Sequence, residues 1–246
     1  MIMEKKKLVV LSGAGISVES GVPVYRGDEG LWNNLSLREL ASLDAWRNKT
    51  ETVLDFYNHR RAKLAEVSPN SAHVLLAKME RDFDVTILTQ NVDDLHERAG
   101  SSHVIHLHGE LTCVRPEDTY TKTDGFSEEY VQRIGYRAVT LGETGGKNNT
   151  QLRPHVVFFE EPVPKIMQAR QEVAKADILL VVGTSLQVYP AAALLSYASP
   201  DCEIYIIDPQ KLELASFFPL THIQKKATDG MDVFAKYIGF KEYYPV

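Results

Sequence analysis

Two stretches of this chain gather side chains that can do chemistry: Thr89-Gln90-Asn91-Val92-Asp93 and His106-Leu107-His108-Gly109. Together they offer two carboxamides, a carboxylate and two imidazoles. A carboxamide both donates and accepts hydrogen bonds. An imidazole exchanges protons near neutrality, with an unperturbed pKa of about 6.5. Each stretch follows or ends a short apolar run, residues 85–88 and 104–107, of the kind that forms buried parallel strands. Ligands of open α/β sheets sit beyond the carboxyl ends of the strands, so these groups converge on one crevice. Alternation along a strand puts His106 and His108 on the same side. Residue chemistry does not choose between them, and either can be a structural histidine. Asn91 and Asp93 also suit turns. Gln90 does not, which favours a binding role for the set.

The positioning elements follow from hydrophobic patterning. Six apolar runs read as buried strands: residues 8–11, 85–88, 104–107, 156–159, 178–182 and 204–207. Helical periodicity fills gaps at 53–64, 73–79 and 166–174. Alternating strands and helices imply an α/β fold, a doubly wound parallel sheet. Two segments break the alternation. One is helical and holds both tryptophans, Trp32 and Trp46; the other is polar and rich in Gly, Thr and Asn. Read together as a small inserted domain or lid, they cover 30–69 and 111–152. The sheet domain then covers 1–29, 70–110 and 153–246.

After the first strand comes Ser12-Gly13-Ala14-Gly15-Ile16-Ser17. Small residues there let the backbone approach a pyrophosphate, and the following helix N-terminus favours an anion. Val18 stands where a dinucleotide fingerprint has its last glycine, so a plain tight turn explains the loop about as well. Asp208, ending residues 204–207, can accept ribose hydroxyls or act as a turn residue before Pro209.

Composition narrows the classes of function. The chain has 246 residues, 44% hydrophobic and 24% charged, with a net charge of −6, enough for one full core and a satellite. Scattered Lys and Arg argue against nucleic acid as partner. No apolar run is long enough for a bilayer. The opening Lys5-Lys6-Lys7-Leu8-Val9-Val10-Leu11 lacks a signal-peptide core, so a cytoplasmic protein is expected. Cys113 and Cys202, the two cysteines, make neither a disulfide framework nor, alone, a zinc site.

Tyr57 and Arg60 form a second constellation. Residues three apart share a helix face, and a phenol beside a guanidinium can bind a carboxylate. The alternative is a solvated basic face of Arg60, Arg61 and Lys63, with Tyr57 packing inward.

Taken in order, Gly13-Ala14-Gly15-Ile16-Ser17, Ser20-Gly21-Val22-Pro23, Arg26, Thr89-Gln90-Asn91-Val92-Asp93, Leu95-His96, Ala99-Gly100, His108-Gly109, Arg153-Pro154 and Gly183-Thr184-Ser185-Leu186 resemble the sirtuin family of NAD-dependent protein-lysine deacylases. They span nearly the whole chain. The resemblance implies a Rossmann-like sheet with NAD across its carboxyl edge. Gly13, Ala14, Ser17, Gly183 and Ser185 would meet phosphates and ribose, with Arg26 in a loop over the cofactor. Gln90, Asn91 and Asp93 would line the nicotinamide-ribose pocket, and Asp208 and Ala227 complete the cofactor set. The acyl-lysine oxygen would attack the ribose carbon bearing nicotinamide. His108, with Asn91 as its catalytic companion, would then act as base on a ribose hydroxyl, releasing lysine, nicotinamide and O-acyl-ADP-ribose. Phe159, Glu160 and Val188 would meet the substrate peptide, with Phe159-Glu160-Glu161 adding the peptide as a strand. Desuccinylase-type members carry a Tyr-x-x-Arg pair and a small alanine, matched by Tyr57, Arg60 and Ala41. Acylated-lysine proteins or peptides are the implied partners; the oligomeric state is open. An ADP-ribosyl transferase or NAD hydrolase on the same site, or a non-catalytic NAD-sensing module, are the competing readings.

The chain also departs from the family pattern. Most sirtuins hold zinc with two Cys-x-x-Cys pairs between the His-Gly and Arg-Pro motifs; only Cys113 stands there, so no metal is expected. Glu117, Asp118, Asp124, Glu128 and Glu129 are expected to form a solvated face. Packing through Phe126, Tyr130, Ile134 and Tyr136 would hold the small domain. Val24 and Tyr25 replace the usual residues before Arg26. Glu160 takes the place of a glycine, and Asp208 that of an asparagine, which favours NAD over NADP.

Overall fold

The computed structural model describes residues 5–23, 40–121, 125–126, 128–184, 186, 189–210 and 219–240. In chain order the strands and helices are β1 (Lys7–Ser12), α1 (Leu43–Asn48), α2 (Thr50–Glu66), α3 (Ser71–Met79), β2 (Asp84–Thr89), α4 (Leu95–Arg98), β3 (Val104–His106) and β4 (Gly109–Pro116). They continue with β5 (Tyr120–Thr121), β6 (Gly125–Phe126), β7 (Gln132–Arg133), β8 (Thr144–Gly145), β9 (Thr150–Val156), α5 (Ile166–Ala174), β10 (Ile178–Val182), β11 (Glu203–Ile207), β12 (Leu220–Ile223) and α6 (Ala227–Tyr237).

Six strands form a parallel sheet in the order β12-β11-β10-β1-β2-β3. From β1 the chain runs one way to β3, and from β10 the other way to β12. The strand order therefore reverses between β1 and β10, where α/β sheets bind ligands. Successive residues of a strand face opposite sides. Leu8 and Val10 join Leu76, Met79, Leu180, Met231 and Phe234 in one core. Val9 and Leu11 join Ala169, Val173, Leu179, Val181 and Leu194 in the other. Both faces of β1 are covered, which is why its sequence is continuously apolar.

A second, four-stranded sheet has the order β7-β4-β9-β8 and is antiparallel. It packs with α1 and α2 in a third core of Trp46, Leu54, Tyr57, Leu64, Leu111, Val114, Val139, Leu152 and Phe158. Helix ends follow local chemistry. The Ser42 hydroxyl accepts from the Ala45 N–H to cap α1, and Asn70 Oδ1 accepts from the Ala72 N–H to cap α3. Pro69 follows the end of α2, as expected where a proline disfavours helix in the residue before it. No helix among the described residues is long and apolar enough to cross a membrane.

Two expectations need correction. Residues 156–159 do not form a strand of the parallel sheet. Val156 ends antiparallel β9, Phe158 turns into the third core, and Phe159 makes only an isolated bridge with Ser42. An apolar run records burial, and burial beside a helical layer looks the same as burial within a sheet. The sixth parallel strand is instead β12, whose Leu-Thr-His-Ile pattern is too polar to stand out. Second, the glycine loop does not feed an α-helix. Two 3-10 turns follow, Ala14–Ile16 and Val18–Ser20, ending at Gly21 in the left-handed region, φ 91°. Pro23 follows without an N–H to extend the turn.

Candidate functional site

The carboxyl ends of β1, β2, β3 and β10 meet in one place. Gly13 N–H donates to the Val182 carbonyl (3.0 Å) and Gly15 N–H to the Gly183 carbonyl (2.8 Å). The two loops interlock closely. A Cβ on Gly183, whose φ is +64°, would lie 2.2 Å from Ile16 N, and one on Gly15 2.6 Å from Gly183 Cα. Glycine at these positions is thus required by loop-on-loop packing. Ala14 is partly buried and Ser17 fully so.

β2 delivers the amide pair and the carboxylate. Gln90 Nε2 donates to Thr184 Oγ1 (3.1 Å), tying β2 to the β10 loop. Asn91 Nδ2 donates to the Gly13 carbonyl and to Ser17 Oγ, both at 3.2 Å. Ser17 Oγ donates in turn to Asp93 Oδ2 (3.1 Å), while Asp93 Oδ1 accepts from Leu95 N–H (3.3 Å). Burial raises the Asp93 pKa; the bonds from Leu95 and Ser17, with the charges of His106 and Arg60, oppose that rise without cancelling it.

The two histidines grip adjacent carbonyls. His108 Nδ1 lies 3.0 Å from the Gln90 carbonyl oxygen, and His106 Nδ1 lies 2.9 Å from that of Asn91. A carbonyl only accepts, so His108 carries its hydrogen on Nδ1 and leaves the Nε2 lone pair available. Burial pulls the His108 pKa below its ordinary value, against the pull of the Gln90 carbonyl. Both the lowered pKa and the Nδ1–H bond favour the neutral ring. Gly109 follows with φ +81°, and a Cβ there would lie 2.1 Å from the His155 carbonyl oxygen. Only glycine lets the chain turn from His108 straight into β4.

The acyl-site candidates are adjacent in space. Tyr57 is buried and stacks on Phe158, centroids 5.9 Å apart. The Arg60 guanidinium lies 5.7 Å from the Phe56 ring centroid and 5.9 Å from that of Tyr57. Arg60 thus sits against aromatic faces, and the fully buried member of the Arg60-Arg61 pair is Arg61. The Ala41 carbonyl accepts from Phe159 N–H at 2.7 Å, so Ala41 and the exposed Phe159 edge meet. Glu160 is exposed in the left-handed region, φ 73°. Glu161 folds back beneath it. Its Oε2 accepts from Phe158 N–H (2.7 Å), and it pairs with buried Arg153 (2.7 Å) and Arg115 (3.4 Å).

The model of the Sir2 family matches residues 13–190. The chain belongs to the Sir2 family. An NAD-dependent protein deacylase of Bacteroides thetaiotaomicron is 44% identical over 229 residues, covering 92% of this chain and 95% of that protein. One from Helicobacter pylori is 48% identical over 205 residues, covering 83% and 85%. A mutant Sir2 homologue solved with ADP-ribose superposes with a TM-score of 0.84 at 36% identity, covering 99% of this chain and 96% of that one. A Sir2 homologue–NAD complex gives 0.81 at 37% identity, covering 96% and 90%.

Within this Sir2 chain, Arg26, Ser185 and Val188 lie outside the described residues. Asp208 is buried and behaves first as a turn residue, its Oδ1 accepting from Gln210 N–H (2.8 Å). Ala227 is buried at the start of α6. The acidic stretch is not simply a solvated face. Glu117 accepts from Trp46 Nε1 (2.9 Å). Asp118 accepts from Asn148 (2.6 Å) and Thr150 (2.7 Å), and Glu128 pairs with Lys165 (3.2 Å). These carboxylates clip the strand connections to one another and to α1. Asp124 lies outside the described residues, as does the Phe126 side chain. Ile134 and Tyr136 do pack against the third core, and Tyr136 donates to Asp94 (2.6 Å). Among the described residues no group of three or more His, Cys, Asp or Glu is placed to hold a metal ion. Sequence reasoning missed Thr184 as the partner of Gln90, and the buried Ser12–Thr89–His96 chain, in which Ser12 Oγ lies 2.9 Å from both partners. Polar residues at the very ends of apolar strands were the available signal.

Proposed function

We propose that this Sir2 protein, an NAD-dependent protein deacylase, removes acidic acyl groups such as succinyl and malonyl as well as acetyl from protein lysines. The single observation that carries the acyl preference is the Arg60 guanidinium, seated over the Phe56 and Tyr57 rings. A cation at that position suits a carboxylate-tipped acyl chain, and the small side chain of Ala41 stands next to Phe159.

The residues present fit NAD: the buried Ser17–Asn91–Asp93 set offers donors and acceptors for a ribose and a carboxamide. Bound NAD would supply a ribosyl carbon activated by loss of nicotinamide and the ribose hydroxyl that receives the acyl group. Gly13, Ala14, Ser17, Arg26, Gly183, Ser185, Asp208 and Ala227 are assigned to its phosphates, riboses and adenine side. Gln90, Asn91 and Asp93 are assigned to the nicotinamide-ribose side. His108 accepts a ribose hydroxyl proton at Nε2, its Nδ1–H held by the Gln90 carbonyl. Phe159, Glu160 and Val188 receive the peptide as an added strand. The Rossmann-like domain comprises 1–29, 70–110 and 153–246, and the small module 30–69 and 111–152. The small module works without zinc, its clips being Glu117 to Trp46 and Asp118 to Asn148 and Thr150. Acylated-lysine proteins or peptides in the cytoplasm are the substrates.

The test compares wild type and Arg60→Met on matched acetyl- and succinyl-lysine peptides. A much larger loss of kcat/KM is expected on the succinyl peptide. Equal losses on both would refute the acidic preference.

A further inference from the structure

His106 has no role in the chemistry above, yet it is buried at the end of β3 with a polar partner on each ring nitrogen. Nδ1 lies 2.9 Å from the Asn91 carbonyl oxygen and Nε2 lies 2.8 Å from Glu97 Oε1. Neither a carbonyl nor an ionised carboxylate can donate a hydrogen bond. Both ring nitrogens must therefore carry a hydrogen, which makes the ring an imidazolium.

We propose that His106 is a positioning residue whose imidazolium form bridges Glu97 to the Asn91 carbonyl and thereby fixes the Asn91 amide in the cofactor pocket. The proposal rests on Asn91 lining that pocket. Asn91 is held at every polar atom of its backbone. Its N–H donates to Thr89 Oγ1 (3.0 Å) and its carbonyl faces His106, while Nδ2 reaches the Gly13 carbonyl and Ser17 Oγ. Removing the His106 bond frees the carbonyl end of that peptide, so the side chain loses its fixed bearing on the Gly13–Ser17 loop.

The surroundings support the charged form. Burial opposes it, but the bond and charge of Glu97, the Asn91 carbonyl and the charge of Glu110 on β4 outweigh burial, and the His106 pKa lies above 6.5. Burial likewise opposes ionisation of Glu97, and its bond and attraction to His106, with Arg133 on β7, bring its pKa below the ordinary value. The other titratable groups acting here are Asp93 in the β2–α4 loop, His96 on α4 and His155 on β9. Burial holds both of those histidines neutral, so the negative groups dominate. Because the folded pKa of His106 is raised, its bridging contribution is complete below pH 6.5 and is lost as pH rises through the folded value.

The test uses the full chain in two ways. In ¹⁵N-histidine NMR of the ligand-free protein, His106 of wild type should show both nitrogens protonated at pH 7, and Glu97→Gln should lower its titration midpoint. In NAD-dependent deacetylation, the alkaline limb of the kcat profile in Glu97→Gln should move down in pH by the same interval as the NMR midpoint. His106→Phe should lower kcat about tenfold, the worth of one charge-assisted hydrogen bond, with the peptide KM unchanged. A singly protonated His106 at pH 7, or a Glu97→Gln protein with unmoved NMR midpoint and alkaline limb, overturns the proposal. Absence of any NAD-dependent deacylation in wild type would instead defeat the functional reading, and the NMR result would still decide the protonation of His106.

Discussion

Replacing Glu161 with Gln perturbs one side chain and should have a large effect. The Glu161 side chain is buried and serves two guanidiniums, with Arg153 at 2.7 and 3.1 Å and Arg115 at 3.4 Å. It also accepts the Phe158 N–H at 2.7 Å. Glutamine keeps the shape and one acceptor oxygen but removes the charge. Two buried cations then lose this counter-ion, and one oxygen position becomes an N–H₂ facing donors. Breaking a buried pair in this way costs about 3–5 kcal/mol. For a chain of this size that lowers Tm by about 10 °C. The loss should also reach function, because Glu161 fixes the segment that carries Phe159 and Glu160 past Ala41. Peptide KM should rise more than NAD KM. The assay is calorimetric unfolding of both proteins alongside steady-state kinetics at a temperature where both are folded. A Tm within about 2 °C of wild type would show that the Arg115–Glu161–Arg153 cluster holds nothing together and refute the reasoning.

Four further outcomes are expected. His108→Tyr should abolish deacylation while circular dichroism and Tm stay close to wild type; retained activity would exclude His108 as the base. In Tyr57→Phe, loss of the phenol should weaken desuccinylation about tenfold and deacetylation little, measured as kcat/KM. Glu160→Gly should stabilise the protein by about 0.5–1 kcal/mol in urea unfolding, because the left-handed φ of 73° costs a side chain about 1–2 kcal/mol and glycine gives part of that back as chain entropy. Stability should fall in acid as buried neutral histidines become a liability. Burial lowers the pKa of His73 to about 4 and that of His155 to about 3, so the unfolded chain binds more protons below pH 6.5. His73 alone then accounts for roughly 3 kcal/mol lost between pH 6.5 and 4. His73→Leu should flatten that slope.

Much of this architecture could be read from residues because the parallel strands are buried on both faces. A five-residue run such as Ile178-Leu179-Leu180-Val181-Val182 fits a doubly covered strand and little else, and the polar groups at the strand ends mark the site. What failed to show has definite causes. β12 is a short edge strand with Thr221 and His222 at its centre, so its composition carries no buried-strand signal. Residues 156–159 are apolar because Phe158 fills the core against Trp46 and Tyr57, a tertiary fact without a local pattern. Gly13 and Gly15 fit a phosphate loop in sequence, but their nearest neighbours are Gly183 and Thr184, distant in the chain. The roles of Glu117 and Asp118 depend likewise on Trp46, Asn148 and Thr150. The two histidines of His106-Leu107-His108 could not be separated by alternation. Their partners separate them, because one ring faces two acceptors and the other keeps a nitrogen lone pair for a proton.

The central claim is that this site transfers an acyl group from lysine to NAD-derived ribose, with room for an acidic acyl tip. Mass spectrometry of one peptide carrying acetyl, malonyl or succinyl lysine, with and without NAD, tests it most directly. Deacylated peptide, nicotinamide and O-acyl-ADP-ribose should form in equal amounts from all three, only when NAD is present. Consumption of NAD to free ADP-ribose with every acyl group left on its lysine would contradict it.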